Sequence, residues 1–153
     1  MISDKKQLLS NLRHNTFCRL RRSSIHGVGL FAIREIPKGV NPFKRVSPID
    51  NIIVDVSEEE VESLPLEIKD YIKNFFAKDD RNNYPVLGNG LNALDITFFL
   101  NHSDTPNVTS DEEYVPLDTY CPYKTLRKIE KGEELTQNYN EMFKDLKQFG
   151  IDE

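Results

Sequence analysis

The fold is decided by the stretch Phe98-Phe99-Leu100-Asn101-His102-Ser103-Asp104-Thr105-Pro106-Asn107. Three large apolar residues run directly into Asn, His, Ser, Asp and Thr, so a buried anchor delivers many hydrogen-bonding groups to one place. Such an arrangement is typical of a binding or catalytic site. The same residues also fit a strand that ends in a turn, because Asn, Asp, Ser and Pro are frequent turn residues. Two further stretches help to decide between a functional site and a strand that ends in a turn.

The composition indicates one folded domain. The 153 residues suit a single domain with a small helical addition, and 38% hydrophobic residues with 10% aromatics exclude a disordered, low-complexity chain. The formal net charge of -5 argues against nucleic-acid binding through phosphates and suits a basic peptide instead. We therefore expect a protein partner and no direct nucleic-acid partner. These features do not predict an oligomeric state.

The cysteines and the N-terminus indicate an intracellular protein. Cys18 and Cys121 have no Cys or His at zinc spacing beside them, so no metal site is predicted. Two thiols without a secretory signal are typical of intracellular proteins, although a disulfide between them stays open. The charged N-terminus leads into no apolar segment, and no window is long enough to span a membrane. We expect a cytoplasmic or nuclear location without membrane association.

The pattern along the chain predicts a mainly β fold with a helical insert. Residues 1–18 form an N-terminal extension, with a short helix at 3–13 capped by Ser3 and carrying Leu8, Leu9 and Leu12 at helical spacing. The insert spans about residues 57–79. Its two helices are indicated by a capping box, a proline at the second start and an apolar stripe, namely Ser57, Glu60, Pro65, Leu64, Ile68, Tyr71, Ile72, Phe75 and Phe76. Residues 144–153 are a short C-terminal tail.

The second informative stretch contains Gly27-Val28-Gly29 between two strand-like runs. A dinucleotide-binding fold is excluded, because the third glycine is missing and Pro37-Lys38-Gly39 leaves no room for the required helix. The glycines indicate either a backbone that a ligand approaches closely or a tight hairpin. The third informative stretch, residues 129–141, has a Lys-Gly turn, a short extended run and Tyr139.

Taken together, the three stretches resemble the SET domain, the family of protein-lysine methyltransferases. The matching motifs are Ser24–Ala32 with Ile36–Gly39, Phe99–Ser103 with Pro106–Asn107, and Gly132–Thr136 with Tyr139. Their order and spacing agree over about residues 19–143, which we predict to be the SET domain. Three motifs in order are far more specific than any one of them.

The resemblance implies a SET-domain fold of small curved sheets, in which the closing stretch passes the central one in a knot-like crossing. It also implies S-adenosyl-L-methionine as the methyl donor. The backbone of Gly27, Val28 and Gly29 matches the part that approaches the methionine and ribose of the donor. Asn101 and His102 match the pair that holds the adenosyl end.

The resemblance further implies that Tyr139 is the catalytic tyrosine, which also contacts the donor. Tyr84 is similar in position to a tyrosine that walls the lysine channel, and a packed surface aromatic is an equal alternative. Asp104 departs from the family, since many members have cysteine there. No cysteine cluster follows Tyr139, so what closes the channel is not evident from the motifs.

The predicted function is that of a protein-lysine N-methyltransferase, which transfers a methyl group to a lysine of a protein substrate such as a histone tail. The alternative is a catalytically weak SET-like module that binds a basic peptide. A hydrolase that uses Ser103 and His102 is disfavoured, because adjacent side chains on an extended chain point apart.

Overall fold

The computed structural model describes residues 5–46, 53–111 and 122–142. The helices are α1 (Lys5–His14), α2 (Glu58–Glu62), α3 (Leu66–Phe75) and α4 (Tyr139–Met142). The strands are β1 (Cys18–Arg22), β2 (Val28–Ala32), β3 (Ile53–Ser57), β4 (Asn83–Leu87), β5 (Asn101–His102), β6 (Val108–Ser110), β7 (Tyr123–Thr125) and β8 (Glu134–Gln137). The predicted cap Ser3, Cys121 and the tail at 144–153 lie outside the described residues.

The chain divides into two compact units. Unit 1 comprises Met1–Asp50 and Phe99–Asn138, and unit 2 comprises Asn51–Phe98 and Tyr139–Glu153. The first stretch quoted above therefore contributes to both units, with Phe98 in unit 2 and the polar residues after it in unit 1. Among the described residues, no helix has the length and apolar character needed to cross a bilayer.

The main sheet of unit 1 has the strand order β1-β2-β8-β5. Strands β1 and β2 form the antiparallel hairpin that the glycine pattern allowed, closed by a 2.8 Å hydrogen bond from the amide of Ser23 to the carbonyl of Gly27. Gly27 has a φ of 45°, which favours glycine at this turn. Strand β8 pairs antiparallel with β2 and parallel with β5, so the closing stretch lies between the opening and central motifs.

The core of unit 1 includes residues from this sheet and from the small antiparallel sheet of β6 and β7. Its fully buried members come from every part of the unit and include Leu30, Ile36, Leu100, Val108, Ile129 and Leu135. Leu100 is therefore the buried anchor that the sequence predicted. The strand alternative at 98–100 is replaced by a 3-10 turn, Ile96–Phe99, and β5 is only two residues long.

Unit 2 contains the antiparallel pair β3 and β4, with α2 and α3 between them in sequence, and also α4. The predicted capping box at the start of α2 is confirmed, because Ser57 accepts from the amide of Glu60 while Glu60 accepts from the amide of Ser57. The apolar stripe of α3 is narrower than predicted. Ile72 and Phe76 are buried, whereas Ile68 and Tyr71 are 40% and 39% exposed.

Candidate active site

A polar corner of unit 1, formed by Ser23, Gly29, Asn101 and Glu134, joins the three motifs. The side-chain amide nitrogen Nδ2 of Asn101 lies 2.8 Å from Oε1 of Glu134, 3.0 Å from the carbonyl oxygen of His26 and 3.3 Å from that of Val28. All three neighbours are acceptors, so they fix the orientation of the amide. One buried side chain of the central motif thus holds the opening and closing motifs together.

Orientation of the amide leaves Oδ1 of Asn101 as an available acceptor. Within the described part of the chain, no hydrogen bond reaches this oxygen. Asn101 is only 7% exposed, but this oxygen is not fully buried, so a ligand can reach it. The oxygen is therefore a candidate contact for a ligand that donates hydrogen bonds.

Glu134 is the acidic member of the polar corner. Both of its carboxylate oxygens lie close to Oγ of Ser23, at 2.8 and 2.9 Å, so the single hydroxyl hydrogen is shared between them. The same hydroxyl oxygen accepts from the amide of Ile25 at 2.9 Å. The turn between β1 and β2 is thereby fixed to β8, and a negative charge is held beside the opening motif.

The two glycines of the opening motif have different roles. At Gly27 a side-chain carbon would meet nothing within 4 Å, and the residue is exposed, so its backbone is open to a ligand. At Gly29 a side-chain carbon would overlap the carboxylate of Glu134 and lie 3.1 Å from Nδ2 of Asn101. Gly29 is therefore required by the polar corner itself, and Val28 between the two glycines is 44% exposed.

His102 and Gln137 form the register pair at the end of the β5–β8 ladder. Nε2 of His102 lies 3.1 Å from Oδ1 of Asp104, so the residue that departs from the family pattern contacts a predicted site residue. Gln137 is 6% exposed, and its Oε1 accepts no hydrogen bond from the described residues. Beside the predicted pair, the described residues thus include a fully buried amide acceptor without a hydrogen-bond partner.

Asn107 provides a second attachment between the central motif and β8. Its Nδ2 donates to the carbonyl of Glu134 at 2.8 Å, and its Oδ1 accepts from the amide of Thr136 at 2.8 Å. With the pairing of β5, this fixes β8 against both ends of the segment from Asn101 to Asn107. That double attachment brings the central and closing motifs together, and the knot-like crossing itself stays a prediction.

The two predicted tyrosines belong to unit 2. Burial raises the pKa of Tyr139 to about 12, so its phenol keeps its proton throughout the physiological range. Tyr84 is 2% exposed and packs in the core of unit 2 with Val61, Ile72 and Phe76. Its role as a wall of the lysine channel stays a prediction, because its ring presents almost no surface in this conformation.

Comparison with known proteins agrees with this geometry. The family model described as "SET domain" matches residues 27–140, which is most of the chain. The chain belongs to the SET-domain family. The resemblance inferred from the three motifs is therefore confirmed, and so is the mainly β fold with its small curved sheets.

Two relatives of this SET-domain chain are histone-lysine methyltransferases by name. It is 31% identical over 138 residues to the Drosophila melanogaster protein "Histone-lysine N-methyltransferase trr", covering 90% of this chain and 5% of that protein. It is 30% identical over 129 residues to "Histone-lysine N-methyltransferase, H3 lysine-4 specific" of Chaetomium globosum, covering 79% of this chain and 11% of that protein. The chain thus spans a small part of the length of either relative.

Sequence reasoning missed three residues of the candidate site. Glu134 lay inside the closing motif, but nothing in its neighbours indicated that its carboxylate turns towards the opening motif. Ser23 is 111 residues away from Glu134, so no local pattern connects them. Oε1 of Gln137 lacks a hydrogen-bond partner among the described residues because this end of β8 is buried. That burial is a property of the fold and is not visible in the motif.

Proposed function

We propose that this chain is a protein-lysine N-methyltransferase that uses S-adenosyl-L-methionine and methylates a basic segment such as a histone tail. The observation that carries the proposal is the side-chain amide of Asn101, which binds backbone carbonyls of the opening motif and a carboxylate of the closing motif. The names of the relatives support a histone substrate. A nuclear or cytoplasmic location is part of the same proposal.

The chemistry of the polar corner fits the proposed donor. S-adenosyl-L-methionine carries a sulfonium and an ammonium group, and both positive charges favour a site rich in acceptors. The corner offers Oδ1 of Asn101 and the carboxylate of Glu134, beside the open backbone at Gly27. We assign Gly27, Val28, Gly29, Asn101 and His102 to donor binding, with Gly29 acting through the space it leaves for Glu134.

Tyr139 is the proposed catalytic residue. One residue separates it from Gln137, so its Cα lies within about 7 Å of the Cα at the end of the β5–β8 ladder by chain length alone. Its phenol remains protonated because burial raises its pKa to about 12. A neutral hydroxyl both donates and accepts hydrogen bonds, so it is suited to orient the lysine amine.

The reaction requires a lysine amine in its neutral form. An exposed lysine has a pKa of about 10.4, so the nucleophilic form is scarce at neutral pH. The bound donor supplies an electrophilic methyl group, and its positive charge disfavours a second cation nearby. The chain's own contribution is to exclude water and align the amine, since positioning alone removes about 7 to 11 kcal/mol from such a barrier.

The test is methyl transfer from donor labelled in its methyl group to purified histones and to lysine-rich peptides. We expect labelling by the wild type and a loss of about 100-fold for Tyr139→Phe, because misaligned reactants typically lose that much. Donor binding, measured by calorimetry, is expected to remain in Tyr139→Phe and to disappear in Asn101→Ala. Tyr71→Phe, a change at an exposed ring of α3, is the matched control and should retain full activity.

Two results would contradict the proposal. Donor binding without transfer to any histone or peptide would remove the methyltransferase assignment. Peptide binding that needs no donor and survives Tyr139→Phe would instead support the alternative, a module that recognises a basic segment without modifying it.

A further inference from the structure

The apolar side chains of helix α1 face solvent, which is the reverse of their orientation in an ordinary surface helix. Its apolar side chains Leu8, Leu9 and Leu12 are 43%, 39% and 50% exposed, and no residue of the helix is buried. Its most buried side chain is the polar Asn11. A helix of a globular protein normally turns its apolar stripe towards its own core, so this orientation calls for an explanation.

The helix is held in place by polar contacts on its other side. Nδ2 of Asn11 donates to the carbonyl of Lys44 at 2.9 Å, and Nη1 of Arg34 donates to the carbonyl of Arg13 at 2.6 Å. The guanidinium of Arg34 also lies over the ring of Phe17, 5.4 Å from its centroid. A cleft of about 490 Å³ lies between this polar side and residues 44–46. The leucines therefore face outward on a helix that the chain itself fixes.

The charged side chains of α1 itself are all basic. Lys5, Lys6 and Arg13 lie on α1, which carries no acidic residue. Residues 1–46 hold ten of the twenty basic side chains but only two of the twenty-five acidic ones, which gives this part of the chain a formal charge of +8 and the remainder -13. At physiological ionic strength charges act over about 8 Å, so a ligand docked on α1 interacts most strongly with the basic side chains of the helix itself.

We propose that the outward face of α1 is a docking surface for an acidic, amphipathic segment of a partner protein. The apolar residues of that segment pack on Leu8, Leu9 and Leu12, and its carboxylates pair with Lys5 and Arg13 at the rim. An apolar stripe bordered by charge is the pattern by which helices are recognised. A phosphate backbone would use the basic residues but leave the three leucines exposed, so the observations favour a protein partner over a nucleic acid.

The test uses the whole chain and a fluorescent peptide of about 18 residues, long enough to form a helix, with leucine at every third or fourth position among glutamates. The stripe variant Leu8→Gln/Leu12→Gln and the charge variant Lys5→Gln/Arg13→Gln preserve helix propensity. We expect binding by the wild type in fluorescence anisotropy, and at least tenfold weaker binding by either variant. The control Gln7→Ala, on the cleft side, should bind as the wild type does.

Three comparisons would overturn the inference. A peptide of the same composition with its leucines scrambled must bind at least tenfold more weakly, since equal binding would indicate attraction to any polyanion. Tighter binding of a DNA duplex or of anionic lipid vesicles than of the peptide would assign the surface to those ligands. Self-association of the chain that is abolished by the stripe variant would assign it to a second copy. No binding of the peptide at all would also reject the proposal.

Discussion

Units 1 and 2 are stabilised by contacts of very different range along the chain. In unit 2 the capping box joins residues three apart, and the ion pair of Lys78 with Glu58 joins residues twenty apart. In unit 1 the hydrogen bonds of the polar corner join residues 75 and 111 apart. Closing long loops costs more conformational entropy, so unit 1 depends more strongly on each distant contact that it forms.

The largest expected effect is the loss of the Asn101 side chain. Asn101→Ala leaves three acceptors of the polar corner without their donor, which we expect to lower the free energy of unfolding by about 3 kcal/mol. Urea denaturation measures this change. The control Asn11→Ala removes one exposed hydrogen bond and should cost about 0.5 kcal/mol. Similar losses for the two variants would mean that the polar corner does not stabilise unit 1.

The next largest effect concerns Gly29. Its substitution by alanine forces a methyl group against the carboxylate of Glu134, so we expect a loss of about 2 kcal/mol. In a Glu134→Ala background the same substitution should cost about 1 kcal/mol less, because the obstructing group is absent. A double-mutant cycle with four thermal melts measures this coupling. Additive losses would show that the strain comes from the backbone instead.

A smaller effect is expected for the capping box of unit 2. Ser57→Ala removes the acceptor for the amide of Glu60 and should cost about 1 kcal/mol of unfolding free energy. Ser24→Ala, at an exposed serine of the turn before β2, is the control and should be neutral. Donor binding should not change in either variant. If Ser57→Ala lowered the free energy of unfolding as much as Asn101→Ala does, the proposed difference between units 1 and 2 in their dependence on distant contacts would be wrong.

The capping box also predicts a pH dependence. Hydrogen bonds from the backbone and side chain of Ser57 lower the pKa of Glu60 below its ordinary value of 4.5. The folded state therefore favours the ionised carboxylate, and the contribution of Glu60 is present above pH 4.5 and is lost as pH falls through the lowered pKa. The stability difference between the wild type and Glu60→Gln, measured from pH 7 to pH 3, should shrink in that range. A constant difference would contradict it.

The least perturbing test changes no residue. Cys18 is a buried free thiol, and burial raises its pKa to about 12. Thiolate is the reactive form, so alkylation of Cys18 by iodoacetamide at pH 8 should be far slower in the folded protein than in urea. Mass spectrometry of the peptide that contains Cys18 measures the rate. Rapid alkylation without denaturant would mean that the core of unit 1 opens locally.

The sequence was sufficient to predict the local elements whose formation depends only on neighbouring residues. The capping box of Ser57 and Glu60 needs only three positions, and the hairpin around Gly27 needs only a turn between two strand-like runs. The buried anchor was predicted through Leu100, although its surroundings are a 3-10 turn rather than a strand. Local signals of this kind are therefore sufficient for single elements in both units.

The contacts of the site were not predictable from local signals. Motif order indicated that Asn101 and Gly29 share a site, but the reason for Gly29 is the side chain of Glu134, which no spacing rule reveals. The exposure of Leu8 and Leu12 could not be predicted either. Helical spacing shows which residues form an apolar stripe but not the direction in which that stripe faces. Both depend on tertiary contacts between distant segments.

Among the residues that the structure describes, β8 is the last strand along the chain, and yet it is an interior strand of the four-stranded sheet. Until Glu134–Gln137 has left the ribosome, β2 has an unpaired edge and β5 has no neighbour in that sheet. Unpaired edges promote association with other chains. We therefore expect the nascent chain to be prone to such association until its closing strand emerges, which is also when the polar corner can form.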